Sequence, residues 1–182
     1  MERTHVAYEK LRAYMAEMLE KGLGFPEETA EISSVALVEA DARGHASHGA
    51  ARIKMYFEEV NDGKDNPKAV PEIVHETPIS LVIKGNMAPG FASSKLAMER
   101  TIAKAKEHGT CMTVVQDSCH FGMAGFWAEK AADAGMMGVA LTNTLRAGIP
   151  LFGKERLLGT NPICVAIPTG KKPHFMLDMA TT

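Results

Sequence analysis

The sequence changes texture once, at "NDGKDNP" (residues 61–67), and this limits the chain to a helical part followed by an α/β part. Before the break, apolar residues recur at helical spacing. Tyr8, Leu11, Met15 and Met18 form one stripe over residues 4–21, closed by Gly22. "FPEETAEISSVALVEADARG" opens with Pro26 and two glutamates, a favourable helix start, and carries Ile32, Val35, Ala36 and Val38 toward Gly44. A third helix is expected from near Ser47 to the break, where Asn, Asp, Gly and Pro stop it. After the break, strand and helix patterns alternate. "ISLVIKGN", "TCMTVVQDS", "MMGVALTNT", "NPICVAIPT" and "HFMLDMA" read as strands, "FASSKLAMERTIAKAKEHG" and "GFWAEKAADAG" as helices. The expected class is α/β, with an N-terminal helical subdomain over 1–75 and an α/β layer domain over 76–182. The chain stops at "LDMATT", directly after an apolar strand, so a fragment is expected.

At 182 residues, 46% hydrophobic and 23% charged, the chain can build a substantial core and is not expected to be disordered. Lys plus Arg number 20 against 22 Asp plus Glu, with no basic footprint for nucleic acid or an anionic membrane surface. The charged N-terminus lacks a signal-peptide run and no apolar stretch has bilayer length, so a soluble, cytoplasmic protein is expected. Cys111, Cys119 and Cys164 form no CxxC pair and suit a reducing compartment as small core residues.

Three segments offer chemistry. In "SHGAARIKMYFEE", His48, Arg52 and Tyr56 recur every four residues and would share one helix face, offering an imidazole, a guanidinium fork and a phenol to a small carboxylic acid. On periodicity alone a solvated face leads, with Arg52 paired to a glutamate such as Glu59. His45 and His48 are three apart, but no HExxH pattern or carboxylate partner supports a metal. In "VVQDSCHFGMAGFWAEK", His120 follows a strand end, where ligand groups collect in α/β layers; the alternative is a histidine hydrogen-bonded in its own turn. Met123 and Trp127 read as core. In the third segment, Gly159, Thr160 and Asn161 form a polar turn before a strand. Asp178 ends another apolar run, where it could meet a ribose hydroxyl or cap the next helix. "GLGFPE" precedes a helix without following a strand, and no GxGxxG follows any strand, so a Rossmann site is not expected.

Taken jointly, "DARGHASHGAARI", "HFGMAGFWAEKAADAGMMGVALTNT", "GTNPICVAIPT" and "LDMATT" resemble, in order and spacing, the malate/L-lactate dehydrogenase family that lacks a Rossmann fold. That family also holds ureidoglycolate and sulfolactate dehydrogenases, diketogulonate reductase and cyclic-imine reductase. The resemblance implies a non-Rossmann dinucleotide-binding domain, apparently truncated here. It implies an NAD- or NADP-dependent oxidoreductase that interconverts a small 2-hydroxy acid and its 2-oxo acid, malate or lactate foremost, and acts as a homodimer. His120 and His48 match the proton-transfer histidines, Arg52 the grip on the substrate carboxylate, and Tyr56 and Ser47 the pocket lining. Thr144, Asp178, Met179 and Ala180 match cofactor positions, with Phe121 and Gly122 beside them; no metal is implied. Family members often carry two successive glycines where this chain has Phe152 and Gly153, and their chains are nearly twice as long. This chain alone is therefore not expected to be active. The alternatives are a cyclic-imino-acid or ureidoglycolate enzyme on the same residues, a non-catalytic interaction module gripping a protein through His48 and Arg52, and a metal hydrolase using His45, His48 and His120.

Overall fold

The computed structural model describes residues 5–182, in two compact units, Met1–Met123 and Ala124–Thr182. In the first, the expected stripe forms helix α1 (Tyr8–Glu17), continued by a π-helical turn at Met18–Gly22. Its expected start at Thr4 lies outside the described residues. Met15, Ala16 and Leu19 are buried. Gly24, at φ +74°, ends the segment: its N–H donates to the Glu20 carbonyl, and that of Phe25 to Leu19, which satisfies carbonyls left without helical partners.

Helix α2 (Glu27–Ala42) starts behind Pro26 with Glu27 and Glu28 in its first turn, where the helix dipole favours negative charge. It buries Ala30, Ala36, Leu37, Val38 and Ala40 together with Ser33 and Ser34. The two serine hydroxyls donate to the carbonyls of Thr29 and Glu31 at 2.6 and 2.8 Å, so their burial strands no donor.

The third helix departs from expectation. A 3-10 turn at Ala46–His48, an extended Gly49 and a second 3-10 turn at Ala50–Arg52 precede helix α3 (Ile53–Asn61). The cause is Asp41. Its Oδ2 accepts the Ala50 N–H at 2.7 Å, and a Cβ on residue 49 would stand 1.9 Å from its Oδ1. The carboxylate fills the space a side chain would need and caps the turn that follows. His48, Arg52 and Tyr56 are therefore not three stations on one helix face; two turns and a helix carry them.

The first sheet has the order β1-β2-β3, with β1 at Glu72–Thr77, β2 at Ser80–Lys84 and β3 at Met112–Gln116. β1 and β2 pair antiparallel, β2 and β3 parallel, and helix α4 (Gly90–His108) makes the crossover that parallel strands require. Leu81 and Ile83 of β2 are buried, as are Phe91 and Ala97 of α4. β1 was not anticipated: charges interrupt "EIVHET", and the ladder slips between Ile73 and His75, which breaks the alternation that marks a strand.

The second unit holds helix α5 (Ala124–Asp133) and strands β4 (Gly138–Leu141), β5 (Ile163–Ile167) and β6 (Phe175–Met179), in the order β4-β5-β6 and antiparallel throughout. Pairing lines up Val139, Val165 and Leu177 in one row and Leu141, Ile163 and Met179 in the next. Cys164 and Ala166, at the alternate positions, are buried. Gly138 permits close packing of β4 on α5, since a Cβ there would lie 2.0 Å from the Ala128 carbonyl oxygen.

The architecture is thus mixed α/β, helices with two small sheets. The packing divides after Met123, whereas the expected boundary lies at residue 75, because β1 to β3 and α4 share a unit with the preceding helices. Among the described residues, no helix is long and apolar enough to cross a membrane.

Candidate active site

The loop after β3 is built against the start of α4. Asp117 turns the chain at φ +51°, and its carbonyl accepts the Met87 N–H at 2.8 Å. A Cβ on Gly90, the first residue of α4, would meet the carbonyl oxygens of Cys119 and His120 at 2.2 and 2.5 Å. The backbone carrying His120 therefore lies directly on the helix, in room that only glycine leaves.

His120 gathers partners distant in sequence. Its Nδ1 is 2.7 Å from the Tyr56 hydroxyl and 3.3 Å from the Gly122 N–H. The His48 ring stacks on it with centroids 5.8 Å apart. Tyr56 is buried, with Phe91 edge-on to its ring. Ser47 Oγ lies 2.9 Å from His48 Nδ1. Arg52 is held from behind: Nε donates to the Ser47 carbonyl and Nη1 to the Met55 sulfur at 3.3 Å. Among the described residues Arg52 makes no ion pair, so the expected pairing with Glu59 does not form. Phe121 is half-buried and Gly122 buried.

Burial, and then the charges of Arg52 and His48, push the His120 imidazole down to about 4 from its ordinary 6.5. Burial raises the Tyr56 phenol, which stays protonated. Glu59 and Asp65 are also raised by burial, and each has a buried oxygen without a hydrogen-bond partner among the described residues. The Cys119 thiol, raised by burial and by Asp65, lies 3.5 Å from the carbonyl oxygens of Lys64 and Met87, a donor and not a nucleophile.

A depressed histidine pKa gives a signed prediction. Between about 4 and 6.5 the unfolded chain binds the proton that folded His120 refuses, so this contribution to stability is complete above that window and is lost as pH falls through it. Thermal melts of the protein and of His120→Gln at stepped pH check it: the melting temperature of the parent should fall more steeply toward pH 4 than that of the variant.

The candidate cofactor residues lie in the second unit. Asp178 Oδ2 accepts the Gly125 N–H, in the first turn of α5, at 2.8 Å, so it bonds to a helix that precedes it in the chain and not to a following one. Its Oδ1 has no partner among the described residues. Met179 follows it on β6 and so points to the opposite sheet face, and Ala180 lies just beyond the strand. Thr144 ties two turns together: its hydroxyl accepts the Thr160 N–H at 2.8 Å, and its N–H donates to Asn161 Oδ1 at 3.0 Å. The free carboxylate oxygen of Asp178 and the exposed thioether of Met179 thus lie on opposite faces of edge strand β6.

Met123, Trp127 and Cys164 are buried as expected, but Cys111 and Cys119 are only partly so. Phe152 is fully exposed at φ +62°, a left-handed conformation that explains why glycine suits this position. Asp41 and Gly90 escaped the sequence reading. "APGF" before a helix was the available signal for Gly90, whereas nothing in sequence marks Asp41 as the cap of a turn nine residues on. Among the described residues, no three His, Cys, Asp or Glu side chains are placed to hold a metal.

Residues 6–182 match the malate/L-lactate dehydrogenase family. The L-sulfolactate dehydrogenase of Methanocaldococcus jannaschii is 43% identical over 88% of this chain and 46% of its own length. The malate dehydrogenase of Pyrococcus horikoshii is 40% identical over 97% of this chain and 49% of its own. The solved structure of malate dehydrogenase from Pyrococcus horikoshii OT3 superposes with a TM-score of 0.94 at 38% identity, covering 98% of this chain and 51% of that one. The chain spans about half the length of the relatives it matches. Over that span, in sequence and in fold, it belongs to the malate/L-lactate dehydrogenase family.

Proposed function

We propose that the protein is an NAD- or NADP-dependent oxidoreductase that interconverts a small 2-hydroxy acid and its 2-oxo acid, malate or lactate, and works as a cytoplasmic homodimer. One observation carries the reading: two imidazoles and a guanidinium without an ionic partner converge in the first unit although 72 positions separate the outermost two, His48 and His120. The similarity to named malate and sulfolactate dehydrogenases supports it. A bound nicotinamide supplies the hydride carrier. Asp178, through its free oxygen, and Met179 and Ala180 are the proposed contacts to it, with Thr144 shaping the neighbouring turn.

The chain's own residues account for the rest. Arg52 grips the acid's carboxylate with its remaining N–H groups and fixes the orientation of C2. His120 is neutral at ordinary pH and so can take the hydroxyl proton during oxidation; His48 is the alternative carrier. In the reductive direction His120 must first be protonated. An anionic substrate favours this, because its charge offsets that of Arg52, one of the causes of the depressed pKa.

The test uses the product of the whole reading frame. NADH and NADPH oxidation should be followed against oxaloacetate, pyruvate, 3-sulfopyruvate, a cyclic imine and oxoglutarate. Turnover with a 2-oxo acid supports the reading; turnover confined to the imine overturns it. Arg52→Lys keeps the charge but loses the fork, and should raise KM for the acid about 10- to 100-fold, the worth of one charge-assisted hydrogen bond, with kcat much less affected. An unchanged KM would remove Arg52 from the pocket.

A further inference from the structure

We propose that Asp41 is a positioning residue for the substrate pocket: it staples the loop of residues 44–49 shut and so sets where His48 and Arg52 stand. The consequence for turnover rests on the function proposed above; the staple itself does not. Residues 42–47 are all exposed, so burial does little to hold this loop and hydrogen bonds have to fix it. Asp41 supplies them at both ends. Its carbonyl accepts the Gly44 N–H at 3.0 Å, while the His45 N–H reaches the Ala40 carbonyl at 2.7 Å. These paired bonds close a helix around a left-handed glycine, here Gly44 at φ +83°. At the other end, Asp41 Oδ2 accepts the Ala50 N–H at 2.7 Å. Backbone and side chain of one residue thus grip both ends of the segment that carries Ser47 and His48.

Two features mark the carboxylate as placed for this task. It stands in the last turn of α2, where the helix dipole disfavours negative charge, so the helix gains nothing from it. Gly49, buried against it, has φ −94° and ψ −158°, extended backbone that any residue adopts. The backbone does not require a glycine there; the carboxylate does, since a Cβ would stand 1.9, 2.2 and 2.6 Å from Oδ1, Cγ and Oδ2 of Asp41. The extended Gly49 separates the two 3-10 turns, and Arg52 folds back across it to donate Nε–H to the Ser47 carbonyl. Without the carboxylate the Ala50 N–H loses its acceptor, the turn is no longer pinned, and the guanidinium leaves its place. His120 is held separately by Gly90, Tyr56 and Gly122, so loss of the staple should act on Arg52 and His48 and spare it.

A double-mutant cycle tests the staple without reference to any reaction. In the 182-residue chain, Gly49→Ala should lower the midpoint of urea unfolding sharply in the parent but hardly at all in Asp41→Ala, where room for the methyl has opened. An equal loss in both backgrounds overturns the contact. Amide exchange at Ala50 should be slow in the parent and in Asp41→Asn, which keeps an acceptor oxygen, and about tenfold faster in Asp41→Ala, the worth of one hydrogen bond. Fast exchange at Ala50 in the parent overturns the proposal and needs no variant, so an Asp41→Ala that fails to fold leaves the test decisive. In the product of the whole reading frame, Asp41→Ala should raise KM for the 2-oxo acid about tenfold and leave KM for the nicotinamide cofactor unchanged, while Asp41→Asn stays close to the parent. An unchanged KM for the acid, or KM values for acid and cofactor that rise together, reduces Asp41 to a structural residue and overturns the positioning role. Absence of any dehydrogenase activity in the parent would remove the proposed function. The place of Arg52 is then read from its Nε–H resonance, identified by its loss in Arg52→Lys, which should be protected from exchange in the parent and unprotected in Asp41→Ala. Protection retained in Asp41→Ala overturns the proposal whatever the reaction.

Discussion

His120→Ala should lower kcat for 2-oxo acid reduction by about 10²- to 10⁴-fold, the usual contribution of a positioned proton-transfer group. KM for the acid should change far less, because Arg52 and not His120 makes the proposed carboxylate contact. The histidine is suited to the task by its surroundings. Its loop lies on Gly90, its Nδ1 is bonded to Tyr56 and Gly122, and burial with two neighbouring charges holds it neutral. Steady-state kinetics on the product of the whole reading frame check the effect, with His48→Ala in parallel because the family resemblance leaves both histidines open. A large loss in kcat for His48→Ala with little change for His120→Ala would exchange their roles.

The second large effect belongs to a residue with no chemistry of its own. In Gly90→Ala a single methyl would lie 2.2 and 2.5 Å from the carbonyl oxygens of Cys119 and His120. These are backbone atoms, so no side-chain rotation relieves the clash and the loop must shift. Forced repacking of this kind costs about 1–3 kcal/mol, to be read as a lower midpoint in urea unfolding. The displaced imidazole should cost activity as well, since misplacement by ~1 Å can lower a rate on the order of 100-fold. If Gly90→Ala retains both stability and kcat, then Gly90 does not set the position of His120.

These two predictions mark where the sequence was legible. Helix α2 was readable because its start signal and apolar spacing agree. Five of the six strands are readable because short apolar runs, with β-branched residues in β2 to β5, are bounded by Gly, Pro or Asn. β1 was hidden by its charges and its ladder slip. The four-residue spacing of His48, Arg52 and Tyr56 predicts one shared helix face, which does not form, since Gly49 and the Asp41 carboxylate break the helix between the first two. The three residues nevertheless come together, because the turns deliver His48 to His120 and the helix delivers Tyr56. Tertiary placement of this kind has no local signal: 64 positions separate Tyr56 from His120. His120 itself is bonded within its own turn, by the Gly122 N–H, and also meets Tyr56 and His48.

The most direct test of the central claim follows the hydride and the proton together. The product of the whole reading frame is incubated with a 2-oxo acid and a reduced nicotinamide cofactor carrying deuterium at both C4 positions, and the acid is recovered for mass spectrometry. The account predicts a 2-hydroxy acid with one deuterium at C2, formed by the parent protein and reduced about 10²- to 10⁴-fold in rate by His120→Ala. Product without deuterium, or label transfer at the parent's rate in His120→Ala, would contradict it.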